Sequence, residues 1–173
     1  MLKKILITGC DGYIGWPFFL KTALKYKNCK IIGVDNLARR KWTNEVKEKS
    51  FTKIFSIKER LRELKKITKK NNFKFSNFDL TDYKKTSKLI KSFKPNIIFH
   101  LAAQPSARYA NSNLKRATFT NYDNNIATLN ILWSLKENNL LKTIFVETTT
   151  TGVYGTPDFN INEGFNVLNK KPI

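Results

Sequence analysis

The stretch Ile5-Leu6-Ile7-Thr8-Gly9-Cys10-Asp11-Gly12-Tyr13-Ile14-Gly15 decides the fold, because an apolar run of strand length passes into three glycines at three-residue spacing and then into an apolar helical stretch. Gly9 allows a sharp turn off the strand. Gly12 removes a Cβ that would hold a pyrophosphate away from the backbone, and Gly15 lets the helix pack closely on the sheet. The helix N-terminus then offers N–H groups and the positive end of its dipole to phosphate. The pattern predicts a dinucleotide cradle with contacts from Gly9, Asp11, Gly12, Tyr13, Ile14 and Gly15.

Outward from the cradle, Lys30 to Val34 reads as a second buried strand ending at Asp35, with Asn36 beside it. A carboxylate at that point can accept both ribose hydroxyls of the adenosine half of NAD and repels the 2′-phosphate of NADP. NAD is therefore the expected cofactor. Arg39 and Arg40 pull the other way, since guanidinium groups a few residues on can receive a phosphate. A solvated Asp-Asn turn is the plainer reading of Asp35.

Apolar runs of strand length keep alternating with helical patterns, which predicts an α/β fold: a Rossmann-type doubly wound parallel sheet with helices on both faces, in a single domain over 1–173. Ile57, Leu61, Leu64 and Ile67 mark one apolar helix face. Phe73 to Phe78 alternates as a third strand ending at Asp79-Leu80, and Leu89, Ile90 and Phe93 mark a short helix stopped before Pro95. Asn96 to Leu101 reads as the fourth strand. A long helix is expected from about Asn121 to Asn138 with Ile126, Leu129, Leu132 and Trp133 toward the core, followed by a fifth strand from Thr143 to Val146. Trp16 is read as a packing residue.

The 173 residues carry 32 Lys plus Arg against 13 Asp plus Glu, a formal charge of +19. The excess is mostly Lys on helical surfaces such as Lys65, Lys66, Lys69 and Lys70. No zinc spacing, helix-turn-helix or aromatic ribonucleoprotein motif accompanies it, so no specific nucleic-acid partner is expected; the same field would attract anionic nucleotides. No run approaches the ~20 apolar residues of a membrane span. Cys10 and Cys29 have neither metal nor redox-pair spacing, which points to free thiols in a reducing compartment, to no metal, and to a cytoplasmic location.

The fifth strand runs into Glu147-Thr148-Thr149-Thr150-Thr151-Gly152-Val153-Tyr154-Gly155, placing hydroxyls at the C-terminal sheet edge where such folds bind ligands. With Thr8-Gly9-x-x-Gly12-x-x-Gly15, this resembles the extended short-chain dehydrogenase/reductase superfamily of NAD-dependent epimerases and dehydratases. Within it, Gly12 to Pro17, Val34 to Trp42, Ser56-Ile57-x-x-Arg60, Gln104 to Ala107 and Tyr154 to Pro157 look like the UDP-sulfoquinovose synthase family.

That resemblance implies a nucleotide-sugar enzyme that combines UDP-glucose with sulfite while NAD is transiently reduced. By position, Gly9, Gly12, Gly15 and Asp35 would hold NAD, with Arg39 and Arg40 in the binding loop. Asp79 and Leu80 would border the adenine, and Leu101, Ala102 and Ala103 would run beside the cofactor. Asn124 matches the superfamily's structural asparagine. Thr150 would bond the reacting sugar oxygen as the catalytic hydroxyl, with Gln104, Ser106, Arg108 and Thr151 on the substrate side.

The chain departs from the family where Ala102-Ala103 replaces Gly-Glu, Arg108 replaces a Pro, and Thr149 to Tyr154 replaces Gly-Thr-Met-Gly-Glu-Tyr. Ala-Ala and Val-Tyr-Gly are what ordinary nucleotide-sugar epimerases and dehydratases carry, so a 4-epimerase or 4,6-dehydratase is the alternative. The superfamily's base is a Tyr-x-x-x-Lys pair beyond the active-site Thr, and none follows Thr150 before Ile173. Tyr26-x-x-x-Lys30 fits the spacing but lies on the first helix and second strand, and His100, in the fourth strand, reads as structural. The expectation is the N-terminal part of a longer enzyme, inactive alone, lacking the C-terminal strands and substrate cap. It would need the missing half or a homodimer partner. A catalytically silent NAD-binding module is the third reading.

Overall fold

A computed structural model describes residues 3–26 and 28–150, together with the backbone of 167–168 and 171–172. Five parallel strands form the sheet: β1 (Lys3–Thr8), β2 (Cys29–Asp35), β3 (Phe73–Asn77), β4 (Ile97–His100) and β5 (Ile144–Glu147), in the order β3-β2-β1-β4-β5. Between them run α1 (Gly15–Lys25), α2 (Ala38–Glu45), α3 (Ile57–Thr68), α4 (Tyr83–Phe93), α5 (Ala107–Ala110) and α6 (Leu114–Glu137). Two short strands, β6 (Val167–Leu168) and β7 (Lys171–Pro172), pair antiparallel.

The period-two alternation of β1 divides the core into two layers. Ile5 and Ile7 face α1 and α3 in a cluster with Phe19, Ala23, Ile31, Leu64 and Phe73. Leu6 faces the other side, with Val34, Ile90, Ile98, Ala127, Ile131 and Leu135 under α4 and α6. Helices therefore cover both faces, as the pattern of alternating elements predicts. Cys10 and Cys29 are buried and free, and burial, with the nearby Asp35 charge, pushes the Cys10 thiol far up.

Local chemistry sets the helix ends. Ser56 and Glu59 form a capping box at the start of α3. The Asp82 carboxylate accepts the Lys85 N–H at the start of α4, and Lys94 ends that helix in the left-handed conformation just before Pro95.

Two expected faces are corrected. Ile67 is 70% exposed, because the buried stripe of α3 runs through Ile57 and Leu64 and the next turn returns that stripe at Thr68. In α6, which begins at Leu114 rather than near Asn121, Leu129, Leu132 and Trp133 point outward, while Ala127, Asn130, Ile131, Ser134 and Leu135 are buried. Ala127, Ile131 and Leu135 supply its apolar part, and two hydrogen-bonded polar side chains lie beside them. The Asn130 amide donates to the carbonyls of Leu80 and Thr81 (2.9 and 3.0 Å), and the Ser134 hydroxyl donates to the Asn130 carbonyl (2.6 Å). Large apolar size alone was a misleading guide here. Helices α2 and α5 were not anticipated from periodicity; both are short. Among the described residues no helix is long and apolar enough to cross a membrane.

Candidate functional site

The order of the sheet reverses between β1 and β4, and a cavity of about 340 Å³ opens over the C-terminal strand ends there. Open parallel sheets bind ligands at this switch point, and the volume is that of a small-molecule site.

Gly9 follows β1 with φ of +68°. A Cβ on it would lie 2.5 Å from the Leu101 carbonyl oxygen and 2.6 Å from the Ala102 nitrogen, so both its backbone angle and the loop after β4 confine this position to glycine. A Cβ on Gly15 would collide with the Gly9 carbonyl oxygen. The helix start therefore folds back onto the turn itself. The Gly12 N–H donates to the Gly9 carbonyl (3.0 Å), and the Trp16 N–H donates to the Gly12 carbonyl (3.1 Å). Ahead of that bond, Tyr13, Ile14 and Gly15 line the cavity, with no side-chain cap on the helix. This is the arrangement that receives phosphate.

Asp35 ends β2 at the cavity wall. One of its oxygens accepts the Asp11 N–H (2.9 Å) and the other accepts the Leu37 N–H (2.7 Å). Burial raises the carboxyl, while the Leu37 N–H and the Arg40 charge oppose the rise. Each oxygen keeps a lone pair for a further donor. The Asn36 amide donates to Asp79 (2.8 Å), whose other oxygen accepts the Thr81 N–H and hydroxyl (2.9 and 2.8 Å). Burial pushes the Asp79 carboxyl up, but these bonds outweigh it and hold the group below the usual range. Phe78 and Leu80 flank it as apolar wall.

The opposite wall is Leu101, Ala102, Ala103 and Pro105 after β4, backed by Asp123, Asn124 and Ala127 of α6. The Asn124 side chain binds both backbone groups of Gln104, accepting its N–H (2.8 Å) and donating to its carbonyl (3.2 Å). Burial, with the nearby Asp79 charge, pushes the Asp123 carboxyl up to about 6.

A glycine turn, an acidic strand end and an asparagine-braced loop converge at one crevice, and the sequence profile of GDP-mannose 4,6 dehydratase matches residues 6–168. The chain belongs to this family. It is 36% identical over 163 residues to the chloroplastic UDP-sulfoquinovose synthase of Spinacia oleracea, covering 94% of this chain and 33% of that protein. It is 33% identical over 165 residues to UDP-sulfoquinovose synthase of Sulfolobus acidocaldarius, covering 95% of this chain and 41% of that one. The chain thus spans well under half the length of these relatives. Among solved structures, the UDP-glucose 4-epimerase of Bifidobacterium longum in complex with NAD+ and UDP superposes with a TM-score of 0.68 at 20% identity, over 96% of this chain and 43% of that one. The dTDP-glucose 4,6-dehydratase of Bacillus anthracis in complex with NAD gives 0.60 at 21% identity, over 99% and 44%. Both likenesses are of fold.

In this family member, the structure gathers most of the expected cofactor residues at the cavity: Gly9, Gly12, Tyr13, Ile14, Gly15, Asp35, Asn36, Arg39, Asp79, Leu80, Leu101, Ala102, Ala103 and Asn124 line it. Asp11 is the exception. Its carboxylate is turned into a pair of guanidinium groups and only its backbone N–H reaches Asp35. Arg40 is likewise committed to Asp11 and does not line the cavity.

The residues expected on the substrate side have the following places. Gln104 is buried, and its side-chain carbonyl accepts the Ser106 N–H. The Ser106 hydroxyl caps α5 by accepting the Tyr109 N–H (3.2 Å). The Arg108 side chain is 92% exposed beside Glu48. Gln104 holds the loop and Ser106 starts α5, and Pro105 between them lies at the cavity. Thr148, not Thr150, lines the cavity: its N–H donates to the His100 carbonyl (3.4 Å), extending the β4–β5 pairing by one bond, and Thr150 sits exposed beyond it. Thr151 and the 154–157 motif lie outside the described residues.

Sequence reasoning missed Trp42, Phe78, Asp123 and Thr148 as lining residues. Trp42 packs on Tyr109 and Phe119, ring centroids 5.8 Å from each, so α2 is joined to α5 and α6 across the cavity rim. Its signals in the sequence were an aromatic directly after the basic run Arg39-Arg40-Lys41 and its place at the end of the Val34 to Trp42 stretch. Tyr26 follows α1 and Lys30 lies at the start of β2, at the sheet edge away from the cavity.

Proposed function

We propose that this chain is the NAD-binding portion of a nucleotide-sugar enzyme that uses UDP-glucose and sulfite. The observation that carries the cofactor reading is Asp35, held at the cavity wall by the Asp11 and Leu37 N–H groups with lone pairs left for a ribose diol, directly beside the glycine turn. NAD, when bound, supplies a hydride acceptor and donor for the sugar. The chain's own residues hold it: Gly9, Gly12 and the start of α1 take the pyrophosphate, Asp35 the adenosine ribose, and Phe78 to Leu80 the adenine side.

The sulfite reading is supported by the 36% identity to a UDP-sulfoquinovose synthase and by the matched stretches Val34 to Trp42 and Gln104 to Ala107. In it, Thr150 bonds the reacting sugar oxygen. A 4-epimerase or 4,6-dehydratase is the second reading, favoured by Ala102 and Ala103 at the cavity wall. Two buried free thiols suit a reducing compartment such as the cytoplasm.

Calorimetry of the chain with NAD and NADP tests the first part. NAD binding that weakens about tenfold in Asp35→Ala, the loss of roughly one charged hydrogen bond, is the expected result; equal or tighter NADP binding would overturn it. For the second part, the complete protein is assayed with UDP-glucose with and without sulfite, and Thr150→Ala should slow turnover. Epimerised UDP-glucose with sulfite ignored would put the second reading first.

A further inference from the structure

Behind the glycine turn one carboxylate faces two guanidinium groups. The Asp11 side chain, 5% exposed, receives Arg40 Nε at 2.8 Å and Arg40 Nη2 at 3.1 Å, and its Oδ1 also pairs with Arg60. Arg40 Nη2 donates as well to the Phe55 carbonyl (3.0 Å). The Arg60 guanidinium stacks 4.2 Å over the Trp16 ring, and its buried Nε has no hydrogen-bond partner among the described residues. The two guanidinium charges are balanced by Asp11 and by Asp35, the carboxylate one hydrogen bond away at the ribose end of the cavity. Asp11 and Asp35 are joined by a hydrogen bond, and the Arg40 charge is felt at Asp35.

A guanidinium fork in that neighbourhood is what a ribose 2′-phosphate binds. Here the Nε and Nη2 edge of Arg40 is already turned to Asp11 and Phe55. We propose that Asp11 is a specificity-determining positioning residue of the dinucleotide site: its carboxylate holds Arg40 and Arg60 away from a 2′-phosphate while its N–H aims the Asp35 carboxylate at the ribose hydroxyls. This rests on the dinucleotide reading above. It also separates the roles of two adjacent arginines, since Arg39 lines the cavity and Arg40 is locked behind it.

The test is calorimetry of the full 173-residue chain with NAD and NADP, with circular dichroism on the same samples. In Asp11→Ser the hydroxyl is too short to reach Arg40, and the ratio of NADP to NAD affinity should rise about tenfold, the worth of one released guanidinium–phosphate contact. That rise should vanish in the double variant Asp11→Ser with Arg40→Met. Arg40→Met alone should leave the ratio within about twofold of the parent, because the Nε and Nη2 edge of Arg40 is held by Asp11 and Phe55. This variant keeps Asp11 and so decides the matter where Asp11→Ser does not fold. Arg39 is intact throughout. Equal loss of NAD and NADP in folded Asp11→Ser would make Asp11 merely structural and overturn the proposal while the dinucleotide reading stands. A selective loss of NADP in Arg40→Met alone would show that Arg40 already reads the phosphate, which also overturns it. A parent chain that binds neither dinucleotide removes both.

Discussion

Thr8 and His100 are register partners in β1 and β4, and the Thr8 hydroxyl lies 2.7 Å from His100 Nδ1. Thr8 Oγ1 accepts the N–H groups of Leu101 and Ala102 (3.2 and 3.4 Å), so its own proton goes to Nδ1. The ring proton is then on Nε2, which donates to Thr128 Oγ1 (3.1 Å), and Thr128 donates to Glu147 (2.8 Å). This directional chain ties three strands to α6 directly beneath the cavity wall, and it uses the histidine as neutral scaffold.

Burial depresses the His100 pKa below its usual value of 6.5, outweighing the nearby Glu147 charge. The unfolded chain then binds the proton first, so the neutral ring's contribution is fully present above about pH 6.5 and is lost as pH falls through the window below it. His100→Phe should unfold more easily by about 1–3 kcal/mol at pH 7.5, the cost of stranding Thr8 and Thr128. Its difference from the parent should shrink on acidification. Urea melts at several pH values check this; a constant difference would refute it.

Asp123 shows the opposite sign. Its pKa is raised to about 6 by burial and by Asp79, so the folded chain holds this proton more tightly than the unfolded one. Stability is lost as pH rises from about 4 to 6. Asp123→Asn should be more stable than the parent at pH 8 by about 1 kcal/mol, after allowing for solvent screening at a half-open site, and the gain should disappear near pH 3.5.

Gly15→Ala should both destabilise the chain and abolish dinucleotide binding, because the new methyl collides with the Gly9 carbonyl that shapes the turn. A loss of about 2 kcal/mol or more is expected, as for backbone clashes in packed turns. Thermal melts with and without NAD measure it. A variant with parental stability and affinity would mean the turn can open without cost.

The 173-residue chain by itself is expected not to turn over UDP-glucose, with or without sulfite, because no Tyr-x-x-x-Lys pair follows Thr150 within it to supply the sugar-hydroxyl base. Mass spectrometry of the nucleotide-sugar pool after incubation checks this. Accumulating epimer or sulfonated sugar would show that another group serves as base.

The strands and the glycine turn were legible because parallel strands buried on both faces read as short apolar runs, and a left-handed residue packed against backbone admits little besides glycine. The site's cofactor side followed from that, since strand ends and loops at a switch point are adjacent by topology. What periodicity could not reveal were choices made between side chains in space. Asn130 and Ser134 joined Ala127, Ile131 and Leu135 on the buried face of α6, where they donate to the carbonyls of Leu80, Thr81 and Asn130. Asp11 went to two arginines from helices 29 and 49 residues away. Gln104 and Ser106 went to holding their own loop and starting α5. Such assignments depend on tertiary partners that local spacing does not encode.

Asn124 reaches from α6 to satisfy both the N–H and the carbonyl of Gln104, doing for a loop residue what a neighbouring strand does inside a sheet. The segment from Leu101 to Pro105 is thereby ordered when the chain folds, not when a ligand arrives. A preorganised wall spares the ligand the entropy of fixing it. Replacing Asn124 with a side chain that cannot bridge both groups would therefore show up as a slower, entropically costlier association, with the binding enthalpy little changed.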